Sequence, residues 1–203
     1  MGHGVFQSCD KKWVSGSLKN AILLDLTQKK QLGISSIFSV KMGKFDKIGQ
    51  SKMLIFLDFD GVLHSAVSRP NARLFSQIPL LETFFRQPEW ENVQFVVSST
   101  WRLGRDLDDL RRPFSPNFHA RIIGTTPDLP RSGSLNGHRE REILQWLRDF
   151  GREQDAWAAL DDLPSYFDKH MARLFLCASS TGLVEHDLPR LAAHLRENGF
   201  QAA

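Results

Sequence analysis

Along most of this chain, unbroken apolar runs alternate with stretches whose apolar residues recur at helical spacing. Met53–Leu57 (Met-Leu-Ile-Phe-Leu) is wholly apolar and ends in Asp58. A strand covered on both faces reads this way, because neither side of it meets water. Val93–Val97 is a second buried-strand candidate, ending in Ser98-Ser99-Thr100, and Ala156–Leu160 a third, ending in Asp161-Asp162. His119–Gly124 and Leu174–Cys177 read as further strands. Between them, Pro79–Gln87 sets Leu80, Leu81, Phe84 and Phe85 on one side of a helix, and Gly104–Arg112 reads as a helix stopped by Pro113. Gly137–Phe150 is the clearest helix: Ile143, Leu144, Leu147 and Phe150 recur among charges, and Gly151 follows as a stop. Asp187–Asn198 closes the chain as an amphipathic helix before Gly199.

Strands alternating with helices predict an α/β fold, a three-layer Rossmann-like parallel sheet with helices on both faces. In such sheets ligands bind beyond the carboxyl ends of the strands. The acidic and hydroxyl clusters just named sit at such ends.

Composition divides the chain near residue 52. Residues 1–52 hold nine lysines and three aspartates, with no arginine, glutamate or proline. From Met53 onward Lys169 is the sole lysine against sixteen arginines, and all nine prolines lie there. The first segment therefore carries +6 and the remainder, with seventeen basic and twenty acidic residues, −3. We read 1–52 as a basic extension, poorly ordered or non-native, and 53–203 as the catalytic domain. The competing reading is a basic arm for an anionic partner. Ala21–Leu24 and Ile34–Val40 are apolar enough for a short helix or strand.

The net charge of +3 is too small to argue by itself for nucleic acid. Cys9 and Cys177 form neither a disulfide framework nor a zinc spacing, so a reducing, cytoplasmic setting is expected. No apolar run approaches the roughly 20 residues that span a bilayer. Met1–Lys12 lacks an apolar core, so no secretion signal is expected.

Asp58-Phe59-Asp60-Gly61 carries the strongest chemical signal. Carboxylates two residues apart just past a strand can aim at one point while Phe59 packs away. Burying like charges unpaired is costly, and a divalent cation removes that cost. Magnesium is the expected ion, since it takes oxygen ligands and keeps waters for a phosphate to displace. Gly61 lets the backbone turn and approach a ligand. The plainer alternative is a turn with two solvated aspartates.

Other strand ends supply matching parts. Ser98 or Ser99, backed by free N–H groups, suits a phosphate oxygen, or simply caps the next turn. Arg102 offers a charged fork to phosphate or substrate. Trp101 reads as core. Arg139 and Arg141 open the Gly137–Phe150 helix, where a cation would neutralise both nucleophile and phosphate; alone, they read as solvated partners of Glu140 and Glu142. Asp161-Asp162 is a natural second half of a metal site, or a cap before Leu163-Pro164.

These four pieces, in this order, resemble the haloacid dehalogenase (HAD) superfamily of phosphohydrolases, from about Met53 to the C-terminus. Leu57–His64, Ser98–Arg102, Arg139-x-x-Glu142-Ile143-x-x-Trp146-Leu147 and Leu160-Asp161-Asp162 look like its small bacterial branch, some members of which are linked to RNA repair. The resemblance implies that Asp58 is the nucleophile that forms an aspartyl-phosphate. It implies that Asp60 is the general acid and then the base. Ser98, with Ser99 as the close alternative, matches the phosphate-binding hydroxyl. Arg139 stands where the family more often has lysine. Asp161 and Asp162 match the acidic pair around magnesium, alongside Asp58 and the backbone carbonyl of Asp60. His64 follows the first motif as a candidate substrate contact. His64, His138 and His170 otherwise read as surface or satisfied histidines.

Neither usual insertion point leaves room for a folded cap. His64–Asn92 is taken by a loop and a helix, and Leu103–His138 by a helix, a strand and a loop. The site is therefore expected to be open, with a bulky phosphomonoester, such as a nucleic-acid end, as substrate. Arg69, Arg73, Arg105, Arg111, Arg112 and Arg131 are candidates to rim its mouth. A receiver-type phosphoacceptor places its acidic pair on the first strand, which this order does not match. A non-catalytic phosphate or nucleic-acid binder on the same fold is the other alternative, against which the intact Asp58 and Asp60 stand.

Overall fold

Leu54–Leu57 (β1) lies at the centre of the sheet, and every one of its side chains is buried. The structure is a computed structural model that describes residues 53–67, 73–131, 133 and 135–200. The expectations for 1–52 and for Arg69 lie outside the described residues.

Strands β1, β2 (Gln94–Val97), β3 (Ile122–Thr125), β4 (Trp157–Asp161) and β5 (Leu174–Leu176) form one parallel sheet in the order β3-β2-β1-β4-β5. The chain builds outward from β1 through β2 to β3, then returns to β1's other side with β4. That reversal between β1 and β4 is the point where such sheets open a crevice at their carboxyl ends.

Helices cover both faces. Helix α3 (His138–Asp149) packs Ile143, Trp146 and Leu147 on Leu54, Phe56, Val96 and Ala159. On the other face, α1 (Ile78–Phe85), α2 (Leu107–Arg111) and α4 (Leu188–Glu197) bring Leu81, Phe85, Leu110, Leu191 and Leu195 against Ile55, Leu57, Val97 and Leu160. The two apolar sets on β1 alternate, as a doubly covered strand requires. Among the described residues no folded cap stands over the sheet, and no helix is long and apolar enough to cross a membrane.

Two elements differ from expectation. The predicted strand His119–Gly124 begins later, because Pro116–Arg121 forms a 3₁₀ turn. Arg121 pins that turn by donating to the carbonyls of Val93, Phe85 and Trp90. The predicted helix Gly104–Arg112 shortens to α2. Gly104 takes a left-handed φ of 75°, and Asp106 caps the helix start by accepting from Asp109 N at 2.7 Å.

Register fixes what emerges at the strand tips. Leu57 lies level with both Val97 and Leu160. These three face the α1 side, so the next residues, Asp58, Ser98 and Asp161, face the α3 side together. Backbone bonds continue past the strands, with Asp58 N donating to Leu160 O at 3.0 Å and Ser98 N to Leu57 O at 2.9 Å.

The first turn of α3 is polar yet buried, because it reaches over those tips. Its Glu140 accepts from Asp168 N at 2.7 Å and His170 N at 3.1 Å, and pairs with His170 Nδ1 at 2.7 Å. Burial alone would raise its pKa, but the bonds from Asp168 and His170 outweigh burial and lower it. Glu140 therefore stabilises the fold above its ordinary pKa, and that contribution is lost as pH falls through the lower folded value. Glu140→Ala is expected to cost about 1–3 kcal/mol at neutral pH. The gap from the parent should close below about pH 4. Urea unfolding across a pH series measures this; a gap that persists in acid would count against the assignment.

Candidate active site

Three carboxylates meet beyond the carboxyl ends of β1 and β4. Asp58, Asp161 and Asp162 each offer an oxygen within 4.8 Å of the others, and all three residues are buried. At about 4 Å, two like charges repel by about 4 kcal/mol at an effective dielectric of about 20. Something must hold this group together.

Part of the answer is Arg139, itself 3% exposed. From the first turn of α3 its Nη1 lies 3.4 Å from Asp58 Oδ1, 3.4 Å from Asp161 Oδ2 and 3.4 Å from Ser98 Oγ. Tyr166 sits under the guanidinium, its ring centre 5.4 Å away. Burial would lower the pKa of Arg139, but Asp58, Asp161 and Glu142 outweigh it and raise it. Arg141, two residues on, is exposed and donates to Asn136 O, with His138 Nδ1 nearby. Of the two arginines, the helix turns Arg139 inward.

One guanidinium against three carboxylates leaves the hollow negative. Burial, then the charge of Asp58, push Asp161 up to about 7, with Arg139 opposing. Burial raises Asp162 as well; a hydrogen bond from Ser179 opposes that rise and Asp58 adds to it. Asp161 Oδ2 is buried without a hydrogen-bond partner. Clustered oxygen donors, excess negative charge and an unsatisfied buried oxygen fit a hard divalent cation such as Mg²⁺.

Glycine brings these loops into contact. Gly61 has φ 71°, and a Cβ there would land on the Asp162 carboxylate. A side chain at 61 would push the β1 and β4 tips apart.

Asp60 stands apart from the cluster. Its side chain is 45% exposed, with Oδ2 accepting from Trp101 Nε1 at 2.9 Å and Oδ1 3.0 Å from His64 Nε2. Trp101 packs against the core and also holds this carboxylate by its indole N–H, a role that sequence reasoning missed. Ser99 Oγ accepts from Trp101 N at 3.4 Å as the cap of the Thr100–Arg102 turn, whereas Ser98 Oγ faces Arg139.

Arg102 is directed inward. Its guanidinium donates to the carbonyls of Ser98, Ser99, Thr126 and Pro127, and lies 2.6 Å from Glu142 Oε1. It thus clamps the β2 tip to α3. Sequence reasoning names Glu142 only within the α3 motif and beside the arginines; its buried pairing with Arg102 was missed, although its i, i+3 spacing from Arg139 was a signal. His138 meets Glu142 at 3.3 Å and His170 meets Glu140, so neither joins the carboxylate cluster. Of the expected rim, Arg111 is tied to Ile122 O and Arg112 to Asp109, while Arg73, Arg105 and Arg131 are exposed.

Because Arg102 and Glu142 are both buried, removing one strands the other. Arg102→Met is expected to cost about 3–5 kcal/mol in denaturant unfolding, and the Arg102→Met/Glu142→Met pair clearly less than the sum of the single changes. Additive losses would show that the pair is not coupled.

Residues 54–188 match the family described as HAD domain in Swiss Army Knife RNA repair proteins. The match spans all five strands and α1 to α3, and reaches the first residue of α4. No curated protein matches the chain.

Proposed function

The chain belongs to the family of HAD domains in Swiss Army Knife RNA repair proteins, and on that premise we propose that it is a Mg²⁺-dependent phosphohydrolase that passes through an aspartyl-phosphate. The observation that carries this reading is the convergence of Asp58, Ser98, Arg139 and Asp161 at one hollow, from three strand tips and one helix.

Asp58 is the nucleophile. Its carboxylate oxygen bonds to phosphorus as the bond to the leaving oxygen breaks, and Asp60 gives that oxygen its proton. A water then attacks the phosphorus and yields a proton to Asp60; the bond to Asp58 breaks, and inorganic phosphate leaves. Ser98 and Arg139 hold the phosphoryl oxygens and oppose their charge. Mg²⁺ held by Asp58, Asp161 and Asp162 would supply further neutralisation of the phosphoryl group. His64 and Trp101 aim Asp60 at the leaving oxygen. Arg102 supports the Ser98 loop rather than touching substrate.

The substrate is a phosphomonoester. With no cap among the described residues, the site suits a large one, and the family's place in RNA repair proteins favours a nucleic-acid end.

Purified protein should hydrolyse an aryl phosphate, mononucleotides or end-phosphorylated oligonucleotides with Mg²⁺, and lose that turnover with chelator. Asp58→Asn should abolish it, and Asp60→Asn should lower kcat by about 10²–10⁴. Turnover indifferent to both chelator and Asp58→Asn would defeat the mechanism. Salt-dependent oligonucleotide binding without turnover would favour the non-catalytic binder instead.

A further inference from the structure

A second hollow, of about 280 Å³, adjoins the site and is lined by the rings of Phe59, Phe75 and Trp101, by Arg105, Arg112 and Asp109, and by Leu110 and Pro113. Its size is close to the lower end, about 300 Å³, of pockets that hold small organic groups.

Its position follows from two shared residues. Phe59 lies between Asp58 and Asp60 in sequence. Trp101 gives its ring to the wall and its N–H to Asp60 Oδ2 at 2.9 Å. Ser98 and Arg139 are on the phosphoryl side of Asp58. Asp60 serves the leaving oxygen, so a hollow reached through Trp101 is on the leaving-group side.

Its chemistry favours a flat π system. The Phe75 and Trp101 rings meet edge to face at 5.1 Å, and Arg105 lies over Trp101 at 4.7 Å from the ring centre. Aromatic rings interleaved with arginine are how single-stranded nucleic acid is gripped, by stacking and by cation–π contact. Charge narrows the ligand further. Arg112 pairs with Asp109, but Arg105 is exposed and has no carboxylate partner among the described residues. A nucleotide presents both an aromatic base and an adjoining phosphodiester; a phosphotyrosine presents only the ring. Phe75 also has φ 60°, uncommon for a residue with a side chain, and such strain is kept where a wall must hold a fixed shape.

We propose that this hollow seats the base of the terminal nucleotide of a single-stranded nucleic acid whose end phosphate is attacked by Asp58. The proposal rests on the phosphohydrolase reading and adds the leaving group's identity.

The test compares two oligonucleotides with the same end phosphate, one with a normal terminal nucleotide and one with a stable tetrahydrofuran residue in its place. Hydrolysis is measured on the full chain, and binding on its Asp58→Asn variant. Loss of the base should weaken kcat/KM and affinity by about tenfold or more, the scale of one base–aromatic stack. Arg105→Ala should shrink the difference between the two oligonucleotides. A 5-iodouracil at the end should photo-crosslink to Phe75 or Trp101. Equal handling of both oligonucleotides would overturn the base seat while leaving the phosphohydrolase intact. Base-dependent binding with no turnover of any phosphoester would do the reverse. A phosphotyrosine peptide bound more tightly than either oligonucleotide would also overturn the proposal.

Discussion

Like charges at the ends of adjacent parallel strands must be held there against their own repulsion. Asp58, Asp161 and Asp162 meet this condition because β1 and β4 share a register that no single-residue slip preserves. A slip of one residue on β4 would turn Leu160 toward the site and Asp161 toward the core. Apolar packing on both faces excludes that slip, so the hydrophobic core sets the geometry of the charges. Arg139 enters from α3, and Arg102 with Glu142 ties that helix to the β2 tip. Each of these polar groups is buried, and each has its partner supplied by a different element.

The result is a site with two unlike sides. The side around Asp58 and Arg139 is charged, enclosed and braced by the first turn of α3. The side around Asp60 is aromatic and open, with that carboxylate half exposed between His64 and Trp101. Such a division suits phosphoryl transfer, where the transferred group is constant and must be held tightly, while the rest of the substrate varies.

Much of this is legible in the amino-acid sequence alone. Met53–Leu57 and Ala156–Leu160 announce buried strands because neither has a polar residue to turn toward water. Asp58 and Asp161-Asp162 stand out as abrupt charge after an apolar run. The helix of Gly137–Phe150 is clear because its period is strong. Less is visible where one residue type serves two environments. Arg139 and Arg141 are alike in sequence, and only the rotation of α3 on the sheet buries one and exposes the other. Trp101 reads as core filling because its apolar body dominates; the N–H that matters is a single atom. The start of β3 falls later than its apolar pattern suggests, because Pro116 and the carbonyl contacts of Arg121 impose a turn that local hydrophobicity does not foretell.

The sheet order has a bearing on how the molecule is born. As the chain leaves the ribosome, β1, β2 and β3 are complete at Thr125, before β4 begins at Trp157, so a half-sheet can assemble first. In that half-sheet the β4-facing edge of β1 has unpaired amides and an apolar flank, an invitation to strangers. Asp58 is then still surrounded by water, and its quarrel with Asp161 and Asp162 has not begun. Only when β4 slots in are the acids crowded together, so the electrostatic penalty falls on the step that adds β4, before β5 joins the sheet. A cation present at that moment would act as a midwife to folding before it ever served chemistry.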